Sequence, residues 1–418
     1  MMKKYSAKQV VQISLASVGV LMRVVVRYPL GRILYAMRNL WPRRMSHGPT
    51  PLLLYSQVIW QEVWQRPQEC ALRLSKYRPV IFFSPVPVHR RVDTLSRWQR
   101  RMHVQTSHGV TVETPLTLPG EYKSPLIFHL NRALILTEIR LILLRTGTVV
   151  FATNSPFVDY LVKRLDFTKI VYDVIDEFIA FSWAPPGSSQ MERYILEHAD
   201  IVFTGTHTLY EKKKSQHSNI HFIPCGVDFQ LFQNNSTVPV PADIRSVPKP
   251  IAGYIGTLSE RIDLELIERL AQRYPDLSIV FVGPIHGKLG NAPRRPNIYY
   301  LGLKPHEEIP AYVRHFDLAL MPFRLTEAAR SINPVKTLEY LAAGKVVIST
   351  AIPDVERFYG NVVRIARSHD EFISLVGQYL QRDNAALINH GIGMARKQSW
   401  DAMAEQMETL IAHHVPQR

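Results

Sequence analysis

The sequence predicts an α/β protein made of two doubly wound parallel-sheet domains in tandem. Three observations carry that expectation. At 418 residues the chain exceeds what one ordinary core holds. Apolar, strand-like runs alternate with helix-length segments, the pattern of a parallel sheet covered on both faces. The alternation breaks once, at a Pro-, Ser- and Asn-rich stretch, and then restarts. With 46% hydrophobic and 20% charged residues the chain has the apolar content to fill two cores, which excludes disorder for most of it.

The first 48 residues stand apart. They carry nine Lys or Arg (Lys3, Lys4, Lys8, Arg23, Arg27, Arg32, Arg38, Arg43, Arg44) and no acid, so of the formal charge of +15 only +6 is left for the rest. "QVVQISLASVGVLM" (9–22) is uncharged but shorter than the roughly 20 residues of a spanning helix, and "RVVVR" then brings Arg23 and Arg27 into the apolar run. A basic apolar helix lying among the headgroups of an anionic membrane fits this better than a span. A signal peptide and a helix packed on the protein itself remain open, although no small-residue cleavage site follows cleanly. Beyond the arm there is no basic stripe interleaved with aromatics, so nucleic acid is not an expected partner. Cys70 and Cys225 are the two cysteines, far apart and without metal-ligand spacing; they argue for a reducing compartment and against a disulfide framework or zinc site.

Strands are expected at "PLLLYS" (51–56), "PVIFFSP" (79–85), "TVVFAT" (148–153), "KIVYDVID" (169–176), "DIVFTG" (200–205) and "IHFIP" (220–224). Helices such as "RPQECALRLSKY" and "FVDYLVKRLD" fall between several of them. After "NNSTVPVPADIRSVPKP" (234–250), read as a linker, come strand "IAGYIGT", helix "LELIERLAQRY", strands "LSIVFVGP" and "NIYYLG", helix "EEIPAYVRHF", and strand "LALMP". "WDAMAEQMETLIAHH" (400–414) is a closing amphipathic helix with no strand after it. The divisions are an arm (1–48), a first domain (49–233), the linker (234–250), a second domain (251–395) and a terminal helical segment (396–418).

The chemistry concentrates in "SINPVKTLEYLAAGKVVIST" (331–350). Ligands of open parallel sheets bind beyond the carboxyl ends of the strands, and the eleven-residue loop Phe323 to Asn333 is longer than such a connection requires. Asn333 suits an N-cap and Pro334 the first helical position, so the free amides near Val335 and Lys336, together with the lysine charge, suit a phosphate. Glu339, three residues on and roughly on the same side, can accept two hydroxyl hydrogen bonds, as a ribose diol offers. The competing reading pairs Glu339 with Lys336 or Arg330 as a structural ion pair. Gly344 stops the helix.

"PVKTLEYLAAGKVVIST" resembles the donor-binding segment of glycosyltransferases of the GT-B fold, of the retaining family-four type, in the subgroup whose motif reads Asn-Pro-x-Lys-x-x-Glu-Tyr. "IPCGVDFQLF", "GYIGTLSERIDLELIERLA", "FVGP" and "LGLKPHEEIPAYVRHFDLALMPF" resemble its other segments in the same order, over about residues 51–405. The resemblance implies two Rossmann-like domains with a cleft between them, the second holding a nucleotide-diphosphate sugar, the first an acceptor, and a C-terminal helix crossing back. By position, Glu339 would take the ribose hydroxyls, and Lys336 with the 333–335 backbone the diphosphate or sugar. Gly256 and Thr257 would form a phosphate-facing loop, Arg261 the basic residue after it, and Leu303 and Lys304 would lie near the nucleobase. Ser331 stands where the family has a first glutamate, and Asn333, Arg330 or Arg324 would have to substitute for it.

In the first half, Arg66 and Pro67 open a helix from which the guanidinium could reach the diphosphate, the alternative being a surface arginine capping a turn. The Gln-Arg-Pro-Gln stretch there is associated, in similar sequences, with cell-surface polysaccharide synthesis. Asp173 and Asp176 in "YDVIDEF" have the wrong spacing for a metal motif; they are expected to line the cleft, Asp173 with Asn154 towards an acceptor and Asp176 near the reacting sugar. His108 and His129 are further candidates. No general base stands out, and a retaining transfer needs none when the leaving phosphate takes the acceptor proton and nearby cations stabilise the diphosphate. The expectation is a metal-independent glycosyltransferase without a cofactor, acting on a glycan or lipid-linked acceptor at the cytoplasmic face of the plasma membrane. The alternatives are a nucleotide-sugar 2-epimerase on the same fold and a catalytically silent nucleotide-sugar-binding scaffold in a membrane assembly.

Overall fold

The structure, a computed structural model, describes residues 48–60, 64–87, 103–105, 109–121, 124–181, 183–233, 239–285, 292–327, 331–332 and 335–413. The basic arm, apart from Gly48, and the candidates His108, Arg330, Asn333 and Pro334 lie outside them. The chain divides into two units that are not contiguous in sequence. One takes the residues up to Ile59, Ser75–Val171 and Trp183–Ala199; the other takes Trp60–Leu74, Tyr172–Ser182 and everything from Asp200.

In the first unit the strands are β1 (Leu52–Tyr55), β2 (Val80–Phe83), β3 (Val86–Pro87), β4 (His103–Gln105), β5 (Val110–Glu113), β6 (Leu116–Thr117) and β7 (Val150–Thr153). They run in the order β7-β1-β2-β5-β4, with β3 and β6 as a separate pair. Leu52 aligns in parallel with both Val80 and Val150, and β4 alone is antiparallel. Every residue of β1, β2 and β7 is buried, as expected of strands covered on both faces. A helix of 22 residues, Pro125–Thr146, leads into β7.

Strand β8 (Lys169–Val174) runs through the division of the chain, and β9 (Ile201–Thr204) and β10 (Ile220–Phe222) follow in the second unit. That unit also holds a six-stranded, all-parallel sheet of β11 (Ile251–Ile255), β12 (Ser278–Val282), β13 (Ile298–Tyr300), β14 (Leu318–Met321), β15 (Val346–Thr350) and β16 (Arg364–Ala366). Its order is β13-β12-β11-β14-β15-β16. The winding therefore reverses between β11 and β14, and the carboxyl ends of those strands flank the crevice where such sheets bind ligands. Gly253 lets β11 pass under Phe316, whose ring would lie 2.3 Å from an added Cβ.

Several features depart from the sequence reading, among them strands β3, β4, β5, β6 and β16, none of which was expected. Residues 125–146 form one long helix where no element was expected. Inside the stretch read as a linker, Ala242–Arg245 is helical and Ile244 and Val247 are buried in the second unit's core. The closing helix, Trp400–His413, packs on helix Arg66–Leu74, burying Trp400, Met403, Ala404, Met407 and Ile411. Arg73 ties the two together through Asp401 at 3.4 Å, and also reaches Asp228 at 3.2 Å. Among the described residues no helix is long and apolar enough to cross a membrane.

Candidate functional site

At the switch point of the six-stranded sheet lies a cavity of ≈ 1290 Å³, open mouth included, whose lining among the described residues comes from the second unit. Two glycines form its floor. Gly256 ends β11 at φ 134°, and Gly283 ends β12 at φ 148°. A Cβ on Gly283 would stand 2.2 Å from the carbonyl oxygen of Gly256, and one on Gly256 would stand 2.1 Å from Lys336 Cε. Neither position tolerates a side chain, because each φ is left-handed and the space is filled. The lysine stem thus lies across bare backbone, which brings its ammonium into the cavity.

Helix Val335–Ala342 supplies one wall with Val335, Lys336 and Glu339. Its position is fixed from behind. The buried Tyr340 hydroxyl accepts the Ile255 N–H at 2.7 Å, and Leu338, Leu341 and Ala342 pack into the core. Gly344 at φ 67° ends the helix, with Lys345 N–H returning to the Tyr340 carbonyl at 2.9 Å.

Glu339 answers the ion-pair reading. Among the described residues its carboxylate has no hydrogen-bond or ion-pair partner, and Lys336 is not within ion-pair distance. Burial pushes the Glu339 carboxyl up to about 7, with the Lys336 charge opposing and Glu69 adding to the rise. The same desolvation holds Lys336 below an ordinary lysine. Lys336 and Glu339, each partly exposed on the cavity wall, therefore face the same space without a mutual ion pair, an arrangement that a polar ligand would relieve.

Asp176 and Arg261 face the same cavity as an ion pair, Nη1 to Oδ2 at 3.0 Å. The other oxygen, Oδ1, is buried and without a partner among the described residues, and burial raises the Asp176 carboxyl despite the guanidinium. Arg66 lines the cavity as well, but its guanidinium is committed. It forms two 2.9 Å bonds to Asp173 and a third, of 2.8 Å, to the Ile223 carbonyl. At 3% exposure it is neither a surface cap nor a free cation, and Asp173 is turned to it rather than into the cavity.

Thr257, Leu303 and Lys304 also line the cavity. Lys304 pairs with Asp243 at 2.6 Å, an acid from the supposed linker, and Leu303 stays half exposed. Besides Asp173, four described candidates do not line it. Ser331 is fully buried and accepts from Lys212 Nζ at 3.1 Å, on the far side of its loop. Arg324 joins the site through its backbone, donating to the Arg261 carbonyl at 2.7 Å, while its side chain is exposed. Asn154 belongs to the first unit, where its amide bonds Ser56 Oγ at 3.1 Å and receives the Gln57 N–H; His129 is exposed on the long helix of that unit.

Sequence reasoning missed Gly283, Cys225, Trp64 and His306 as lining residues. Trp64 and His306 stack with ring centroids 5.5 Å apart, and burial lowers the His306 pKa. Gly283 was legible as the glycine closing a strand in "FVGP"; Trp64 and His306 lie too far apart in sequence to carry a signal.

The two parallel α/β halves, the switch-point cavity and the helix that faces it define a GT-B architecture. Residues 261–414 match the model of the "Glycosyl transferase-like" family. A putative teichuronic acid biosynthesis glycosyltransferase of Bacillus subtilis (strain 168), TuaH, is 24% identical over 265 residues. That match takes in 57% of this chain and 66% of the relative, just under two thirds of its length. Among solved structures, sucrose-phosphate synthase of Thermosynechococcus elongatus aligns with a TM-score of 0.68 at 15% identity, covering 87% of this chain and 98% of that one. HepE of Anabaena, in complex with UDP and glucose, aligns at 0.62 and 13%, covering 87% and 100%.

Proposed function

We propose that the protein is a glycosyltransferase that moves a sugar from a nucleotide-diphosphate donor to a glycan or lipid-linked acceptor in cell-surface polysaccharide synthesis. The observation that carries this reading is Lys336 and Glu339 facing one cavity over two bare glycine turns, without ion-pair partners among the described residues. Lys336 meets the diphosphate above Gly256 and Gly283, and Glu339 accepts the ribose hydroxyls from the same helix face. UDP and glucose in HepE, and the teichuronic acid pathway of TuaH, support the donor class and the type of product.

A donor brings hydroxyls and phosphate oxygens to the Glu339 and Lys336 wall. Hydroxyl donors satisfy the Glu339 carboxylate and favour its ionised form, and phosphate oxygens pair with the Lys336 ammonium. As the glycosidic bond to phosphate breaks, charge grows on the diphosphate; Lys336, with Arg261 nearby, stabilises it. The leaving phosphate takes the acceptor proton, which makes retention the expected stereochemistry. Asp176, with one oxygen held by Arg261 and the other unpartnered, stands where it can accept a hydroxyl of the sugar or acceptor. Neither a metal nor a cofactor has a part in this scheme, so excess chelator should leave turnover unchanged. The basic arm keeps the enzyme on an anionic cytoplasmic membrane face.

A thermal-shift panel of nucleotide sugars, run on the parent and on Glu339→Ala, tests the assignment. At least one donor should raise the melting temperature of the parent by several degrees and leave the variant unmoved. A panel without a hit, or a variant that responds like the parent, would remove the pocket from the scheme.

A further inference from the structure

Helix Pro125–Thr146 in the first unit has an outward stripe unlike that of a water-facing helix. Beyond Pro125 at its start, its exposed positions are Leu126, His129, Ala133, Arg140 and Leu144, spaced three, four, seven and four residues apart along one side. Leu126 is 69% exposed and Leu144 67%, the two most exposed large apolar side chains of the described residues. Leu136, Leu141 and Leu143 flank the stripe half-buried. The opposite side is occupied: Ile135, Ile139 and Ile142 are buried, and Ile127, Leu130 and Leu134 pack on Leu118.

The charges on this helix have one sign outward. Its single acid, Glu138, is buried, whereas Arg140 is exposed. Arg132 and Arg145 are held inside by Asp159 and Glu113. An apolar stripe that carries a cation and no anion complements a surface that is apolar within and negative at its boundary.

The attachment point of the arm lies at one end of the helix. Val150 N–H, four residues after Thr146, donates to the Pro51 carbonyl at 2.9 Å, and Arg78 holds the Thr50 carbonyl at 3.0 Å. The segment with nine cations and no acid therefore joins the fold beside the Leu144 end of the stripe.

We infer that this helix lies in the plane of an anionic lipid bilayer, with Leu126 and Leu144 in the headgroup boundary and Arg140 towards lipid phosphates, as a second contact alongside the arm. Two weak contacts on one rigid unit fix its orientation, whereas an arm alone would only tether it. The inference does not depend on the donor pocket.

The test is flotation of the full chain with vesicles of two parts phosphatidylcholine to one part phosphatidylglycerol, and with phosphatidylcholine alone. The parent should float with the mixed vesicles and not with the neutral ones. Leu126→Glu/Leu144→Glu, with the arm intact, should bind the mixed vesicles about tenfold or more weakly. Arg140→Glu should lose a smaller factor, and more of it at low salt. Both sites are exposed, so an unchanged melting curve shows that the fold survives. A double variant that floats like the parent overturns the inference. So does one that turns a parent dimer into a monomer without changing flotation, since the stripe would then join two copies.

Discussion

At the scale of single residues, the state of Glu339 sets two expectations of opposite sign. Its carboxyl sits near 7 in the folded pocket against an ordinary 4.5, so the folded state holds that proton more tightly than the unfolded chain. The group's contribution to stability is therefore greatest below the unfolded value, falls as pH rises from about 4.5 to about 7, and is flat above. Glu339→Gln should leave the empty protein equally stable at acid pH and more stable at pH 8 by about 1 to 3 kcal/mol, read from urea midpoints at the two pH values. Donor binding runs the other way, because the ionised carboxylate accepts the diol. Affinity for a nucleotide sugar should strengthen up to about tenfold between pH 6 and pH 8, and calorimetry in buffers of different ionisation enthalpy should show proton release. The glycines give a further expectation: Gly283→Ala forces a methyl onto the Gly256 carbonyl at a left-handed φ and should cost on the order of 2 kcal/mol or more.

Glu339 was legible because a lone acid among apolar helical residues demands a partner, and "PVKTLEY" placed Lys336 within one turn. Arg66, Asp173 and Ser331 were not legible in the same way. Their partners lie 107, 107 and 119 residues away in sequence, and long-range pairing leaves no local periodicity. The sequence shows which side chains carry charge; which of them are already paired is decided by tertiary packing.

At the scale of elements, the strands that were expected matched their apolar runs to within one or two residues, because strands covered on both faces need unbroken apolar sequence, whereas the short β3 to β6 offered no such run. The helix at 125–146 escaped notice for a related reason. "PLIFHLNRALILTEIRLILLRT" is apolar on nearly every side, so the 3.6-residue period that marks a surface helix is washed out. Its ends were nonetheless marked: Ser124 caps the Ile127 amide, Pro125 takes the first position, and Gly147 turns the chain at φ 74°. Helix His207–Lys213 shows the opposite limit. Besides its Thr206 cap, its first amides are held by Asp354, which donates nothing to local pattern. The packing of helix Trp400–His413 on Arg66–Leu74 rests on the Arg66 and Asp173 pair beneath it, and Met403 Sδ lies 3.5 Å from the guanidinium. Asp173→Ala should strand a buried cation and destabilise the second unit by about 3 kcal/mol or more in chemical unfolding, with Arg66→Met/Asp173→Leu recovering part of the loss.

At the scale of the whole molecule, the function proposed needs a donor pocket and an address. The pocket falls entirely within one unit, although that unit gathers segments from 60–74 and 172–182 as well as the C-terminal half. Those two segments bring Arg66 and Asp176 to the cavity. The address proposed is the excess of cations before residue 48 together with the outward leucines of the first unit. Raising salt should weaken vesicle binding while leaving donor affinity in the desolvated pocket much less affected, measured side by side on the full chain.

The central claim is that Glu339 grips the ribose diol of a nucleotide donor. Its most direct measurement compares a stabilising nucleotide diphosphate with its 2′,3′-dideoxy analogue on the parent and on Glu339→Ala by titration calorimetry. Removing both hydroxyls should weaken binding to the parent by about 2 kcal/mol and binding to the variant hardly at all. Equal losses in the two proteins would contradict it.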